Sequence, residues 1–191
     1  MNFIDKKNIE IDREISDLDK FTIDFINILK KHTNYVIISG YVAIILGRAR
    51  ASEDIDMLIP KINFTDFKKL YSELKKHDFY CLNAEKEKTI YSYFQDNLAV
   101  RFAKIDTIIP NIEIKWIKNE FDKISLENTI NVKIKNQIIV ISHLELQIAF
   151  KEVVLKSPKD LEDAQHIKDV AQEYLDKKLI QKYKESLNDF Y

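Results

Sequence analysis

Apolar residues recur at positions 15, 18, 21, 25, 28 and 29, and this three-to-four spacing predicts an amphipathic helix over residues 15–31. A short β-branched strand at 35–39 follows and stops at Gly40. The compact apolar run 42–46 reads as a buried helix ending near Gly47. Residues 55–59 form a strand closed by Pro60, and Asn63 or Thr65 can cap a helix running to about His77. A short strand at 79–82 and a partly helical stretch at 84–97 come next. Strands at 98–103 and 111–117 are separated by a turn at Pro110. Beyond a polar segment lie two more strands, 130–134 and 137–141. The rest is helical: 142–156, 158 to about 174, and 176–188. Ser142 with Glu145 reads as a capping box, and Ser157-Pro158 as a cap followed by proline at the first helical position. The order predicts an α+β fold, a mixed β-sheet with flanking helices and a C-terminal helical layer. Residues 1–141 would form the core, with 142–191 packed on it.

Composition changes this picture at one place. The 191 residues include only 2 glycines, Gly40 and Gly47, where average usage of about 7% would give around a dozen. A chain that avoids glycine elsewhere has kept these for backbone reasons, a positive φ or close approach to a ligand. The formal charge of -1 gives no global argument for nucleic acid or an anionic membrane as a partner, and neither DNA nor a membrane is expected, while local basic clusters could still hold RNA. Cys81 is the one cysteine, so no internal disulfide forms. Residues 1–14 lack the apolar stretch of a signal peptide and no apolar run is long enough to span a bilayer, so the expected location is cytoplasmic. The histidines, 32, 77, 143 and 166, show no metal spacing and are expected to be structural or exposed.

The chemistry concentrates between residues 36 and 60. On a strand, Asp54 and Asp56 point to the same face while Ile55 points into the core. Adjacent carboxylates repel unless a cation neutralises them, and hard oxygen ligands suit Mg²⁺ or Mn²⁺. The helix opened by Gly40 offers free backbone N–H groups to phosphate, with Ser39, Tyr41, Arg48 and Arg50 nearby. Each arginine could equally be a surface residue paired with Glu53. On the strand at 111–116, Glu113 and Lys115 share a face; Glu113 is the candidate third metal ligand or base, and Asp106 its fallback. The bland alternative is a solvent-facing Glu113 paired with Lys115.

Ser39-Gly40-Tyr41 followed by Asp54-Ile55-Asp56 resembles the signature of the DNA polymerase beta-like nucleotidyltransferases. Residues 141–163 resemble the AbiEii-type branch of toxin–antitoxin and phage-defence systems, through Lys151 on one helix and Lys159-Asp160 with Asp163 on the next. That resemblance implies transfer of a nucleoside monophosphate from a nucleoside triphosphate to a hydroxyl of a protein or RNA, a cognate toxin or antitoxin included. It implies two metal ions held by Asp54, Asp56 and Glu113, with Lys151 and Asp160 completing the catalytic set and Lys151 neutralising triphosphate charge. Tyr41 departs from the serine or glycine usual there, and the chain is shorter than full AbiEii-type proteins. Both departures motivate a second reading, a non-catalytic nucleotide- or partner-binding member of the same fold. A glycosyltransferase with an Asp-x-Asp motif gives the glycine and the C-terminal lysine and aspartates no role.

Overall fold

The computed structural model describes residues 1–52 and 54–191. One mixed sheet of nine strands runs through the described residues in the order β1-β2-β8-β9-β3-β4-β7-β6-β5. The strands are β1 (Asn2–Asp5), β2 (Asn8–Ile11), β3 (Val36–Ile37), β4 (Asp54–Ile59), β5 (Phe79–Cys81), β6 (Val100–Lys104), β7 (Asn111–Trp116), β8 (Thr129–Ile134) and β9 (Gln137–Ser142). The helices are α1 (Asp17–Leu29), α2 (Gly40–Ile45), α3 (Phe64–Lys76), α4 (Glu87–Gln95), α5 (Glu120–Glu127), α6 (Leu144–Phe150), α7 (Pro158–Val170) and α8 (Lys177–Phe190). A π-helical turn, Lys151–Leu155, extends α6. None of the described helices is long and apolar enough to cross a membrane.

Strand β4 lies in the interior of the sheet beside its middle strand, antiparallel to β3 and parallel to β7. Its odd positions, Ile55, Met57 and Ile59, are fully buried, as are Ile112, Ile114 and Trp116 of β7. These residues share a core with Phe25, Phe67, Phe79, Phe94 and Phe102 contributed by α1, α3, α4, β5 and β6. The opposite face of β4 and β7 carries the polar residues, so alternation along two strands separates core from chemistry. A smaller apolar cluster of Phe121, Leu146, Ala149 and Leu187 joins α5, α6 and α8 above that polar face.

Two local readings differ from the structure, and the N-terminal segment, given no element from the sequence, forms strands. Residues 142–145 form no capping box: His143 is the N-cap of α6, Ser142 ends β9 with its hydroxyl buried, and Glu145 accepts instead from the Asp176 amide. Strand pairing through Ser142 overrides the local cap signature. The polar segment after β7 is helix α5, started by Asn119, whose side chain accepts from the Asp122 amide. Residues 1–14 supply the β1–β2 hairpin, with Ile9 and Ile11 buried and β2 paired to β8. By contrast, Ser157 caps α7 with Pro158 at its start, and Asn63 caps α3, as their sequences require.

Candidate active site

The turn between β3 and α2 carries unusual backbone. Ser39 has φ 65° and ψ -133°, a region that disfavours any side chain. Conformations of this kind cost about 1–3 kcal/mol and persist only where the surroundings fix them. Here the fixing bond is from the Ser39 amide to Gln147 Oε1 of α6, at 2.8 Å. Gly40 follows, and a Cβ there would lie 2.6 Å from an Arg50 guanidinium nitrogen. Absence of a side chain at Gly40 therefore makes room for Arg50. Gly47 takes φ +97°, just past the end of α2.

Asp54 and Asp56 project from one face of β4, and the parallel register sets Asp56 beside Glu113 and Asp54 beside Asn111. Lys115, two residues beyond Glu113, reaches back between the carboxylates. Its Nζ donates to Asp56 Oδ1 at 3.1 Å and lies 2.5 Å from Glu113 Oε1. Arg101 of β6 donates through Nε to the other oxygen, Glu113 Oε2, at 2.7 Å. Burial pushes the Asp56 carboxyl up, Lys115 pulls it back, and the charges of Glu113 and Asp54 add to the upward push; the result is raised. Burial acts the same way on Glu113, but hydrogen bonds and charge from Lys115 and Arg101 outweigh it and leave that carboxyl below its usual range. Lys115 is held above the usual ammonium range because Asp56 and Glu113 outweigh its own burial.

The donor chemistry suits a hard divalent cation of the kind held by one or two carboxylates together with substrate phosphates, since Asp56 and Glu113 share a single positive charge on one sheet face. Among the described residues, however, no three His, Cys, Asp or Glu side chains converge to hold a metal ion. Asp106 lies in the exposed turn after β6, with φ 64°. A cleft of about 130 Å³ opens over Asp56 and Lys115, bounded by Ser39, Gln147, Lys151 and the rings of Phe121 and Phe150.

Five other candidates from the sequence are committed elsewhere. Tyr41 is fully buried, and its hydroxyl donates to Asp19 Oδ1 at 2.6 Å. The first turn of α2 sends that side chain into the core. Arg48 pairs with Asp163 and Glu162 and donates to the Lys159 carbonyl. Arg50 donates to Asp163 Oδ2 at 2.6 Å. Lys151, only 1% exposed, lies 2.8 Å from Asp163 and 3.4 Å from Asp160. Asp160 also closes the cap of α7, bonded to the Ser157 hydroxyl. Asp163 thus gathers three cations and ties the loop before β4 to α7 and to the π-helical turn. The alternative pairing of the arginines with Glu53 falls outside the described residues. Of the histidines, His143 is buried against Tyr183, with ring centroids 5.3 Å apart, and His32 pairs with Glu73, consistent with structural roles.

Comparison with solved structures defines the class: the chain has a nucleotidyltransferase-like fold. It superposes on the antibiotic-resistance factor ANT(2'')-Ia in solution with a TM-score of 0.58 at 13% identity, covering 92% of this chain and 95% of that one. The crystal structure of ANT(2")-Ia in complex with adenylyl-2"-tobramycin gives 0.57 at 12% identity, over 90% and 99% of the two chains. An antigenic nucleotidyltransferase-like protein from Paracoccidioides brasiliensis matches with a TM-score of 0.52 at 14% identity, over 92% and 90%. A scan against protein-family models finds no match, and a search of curated proteins finds none either.

Proposed function

We propose that the chain is a metal-dependent nucleotidyltransferase, transferring a nucleoside monophosphate from a nucleoside triphosphate to an acceptor hydroxyl. One observation carries the reading: the β4–β7 register sets Asp56 beside Glu113, with Asp54 one pleat away on the same face. The nucleotidyltransferase-like fold supports it. Asp56 and Glu113, with Asp54 one pleat away and the substrate's phosphates, would hold a Mg²⁺ or Mn²⁺ ion, which when bound would offset the charge of the triphosphate and of the oxygen leaving with pyrophosphate.

The protein's own groups would do the rest. The Ser39 amide is bonded to Gln147, so the main-chain amides that open α2 after it would be the ones offered to the phosphates. Glu113 would either complete the metal set or take the proton of the acceptor hydroxyl, and its ion pairs with Lys115 and Arg101, which weaken it as a base, favour the first role. The acceptor oxygen bonds to the α-phosphorus as the bond to the bridging oxygen breaks and pyrophosphate departs. Lys151, Asp160, Arg48 and Arg50 would serve by fixing the cleft wall and the loop before Asp54, a role supported by the Lys151–Asp160 pair and by the pairs of Lys151, Arg48 and Arg50 with Asp163. Residues 142–191 would act as one helical layer closing this wall over the 1–141 core.

For the acceptor, the resemblance to the AbiEii-type branch favours a protein or RNA hydroxyl, a partner toxin or antitoxin among them, in the cytoplasm. A second reading takes a small hydroxyl-bearing antibiotic. It is favoured by the narrow cleft and by the likeness to a lincosamide antibiotic adenylyltransferase, LnuA, solved with lincomycin bound, at a TM-score of 0.51. Isothermal titration of the four magnesium nucleoside triphosphates tests the core of the proposal. The expected result is binding by the wild type that is lost in the Asp54→Asn/Asp56→Asn variant. Labelled triphosphate offered with candidate proteins, RNA and antibiotics then identifies the acceptor. Lack of nucleotide binding by the wild type would leave the non-catalytic, partner-binding reading.

A further inference from the structure

We infer that Lys115 is a built-in counter-cation of the carboxylate site, holding Asp56 and Glu113 together in the absence of metal and leaving the space between them when metal binds. The inference rests on the metal reading above. Two carboxylates on neighbouring strands in register repel each other unless a positive charge lies between them. The ammonium of Lys115 occupies that position, 3.1 Å from one carboxylate and 2.5 Å from the other. Arg101 cannot replace it, since Arg101 meets only the far oxygen of Glu113.

Exposure separates the mobile partner from the fixed ones. The Lys115 side chain is 39% exposed, whereas those of Asp56 and Glu113 are 16% and 7% exposed. An ammonium on a four-carbon stem has solvent to move into, while the carboxylates are anchored to the interior of the sheet. Lys151 marks the contrast: it borders the same cleft, yet it is 1% exposed and pinned by two aspartates, with no such exit. A divalent ion and an ammonium cannot share the space between Asp56 and Glu113, so they compete. Once displaced, Lys115 still borders the cleft, where it can meet the phosphates of an arriving nucleotide. Metal entry thus converts one lysine from an internal plug into a substrate contact.

Titration of Mn²⁺ alone into the full chain tests this, with free ion followed by electron paramagnetic resonance and the fold checked by circular dichroism. Lys115→Met is expected to bind Mn²⁺ at least about tenfold more tightly than the wild type, because a competing unit charge within hydrogen-bond range is gone. It should also melt lower without metal and recover when Mn²⁺ is added. Lys115→Arg, with a planar fork suited to bridging carboxylates, is expected to bind Mn²⁺ more weakly than the wild type. Equal or weaker Mn²⁺ binding by Lys115→Met, with the wild type still binding, overturns the counter-cation role and leaves the metal site standing. Binding by none of the three proteins overturns the metal site and this inference together.

Discussion

At the scale of single residues, Asp19 shows how a buried charge is kept. Burial opposes its ionisation, but hydrogen bonds from Arg13, Tyr41 and Ser16 outweigh it and bring the carboxyl down to about 2. A depressed folded-state value contributes stability above the unfolded value near 3.8, lost as pH falls through the folded one. The contribution at neutral pH is about 2 kcal/mol. Urea midpoints for the wild type and Asp19→Asn should therefore differ at about pH 6 and converge towards about pH 2.5. A gap that stays constant with pH would assign Asp19 a purely steric role. Residues of this kind were the least legible in the sequence. Asp54 and Asp56 were readable because their two-residue spacing on a strand is a local rule. The partners Asp19–Tyr41, Lys115–Asp56 and Arg50–Asp163 lie far apart in the chain, and spacing carries no trace of them. Hence Tyr41, Arg48 and Arg50 read as groups for a nucleotide when their side chains serve the protein itself.

At the scale of elements, the fully buried Asp163 on α7 is the junction between the loop before β4 and the π-helical turn. Asp163→Asn would leave Arg48, Arg50 and Lys151 with an uncompensated charge in a nearly dry site. Breaking a buried pair from one side costs about 3–5 kcal/mol, and chemical denaturation should read a loss of that size. Glu162→Gln, one residue away with a side chain 68% exposed, should cost under about 1 kcal/mol by the same assay. Most elements were legible where a single period dominated, as in α1, α3, β4 and β7. The exceptions have physical causes. Helix α5 has only eight residues, with Phe121 and Ser125 its buried positions, too few to show a periodic stripe. Strand β1 is an edge strand with mostly exposed side chains, so it lacks the alternation that marks half-buried strands.

At the scale of the whole molecule, the core and the C-terminal helices meet through charge as well as apolar surface, since α2 and its loop reach α7 through Arg48 and Arg50. The one tryptophan, Trp116, is buried in the sheet core and stacked on Phe94, with ring centroids 5.3 Å apart. Its fluorescence follows the sheet, while far-ultraviolet circular dichroism is dominated by helices such as α6, α7 and α8. Coincident unfolding curves from the two probes are expected, as for one cooperative unit. A helical transition that precedes loss of the tryptophan signal would instead make 142–191 a separately unfolding layer.

The pairing of β4 with β7 carries one more consequence. Because side chains alternate along each strand, a slip of one residue would swing Asp56 into the place of a core isoleucine. A misaligned sheet would thus bury ionised groups in hydrocarbon and be rejected on energetic grounds. The chain therefore needs no separate proofreading of its chemistry: a molecule that has aligned its central strands has, by the same act, assembled the carboxylate face.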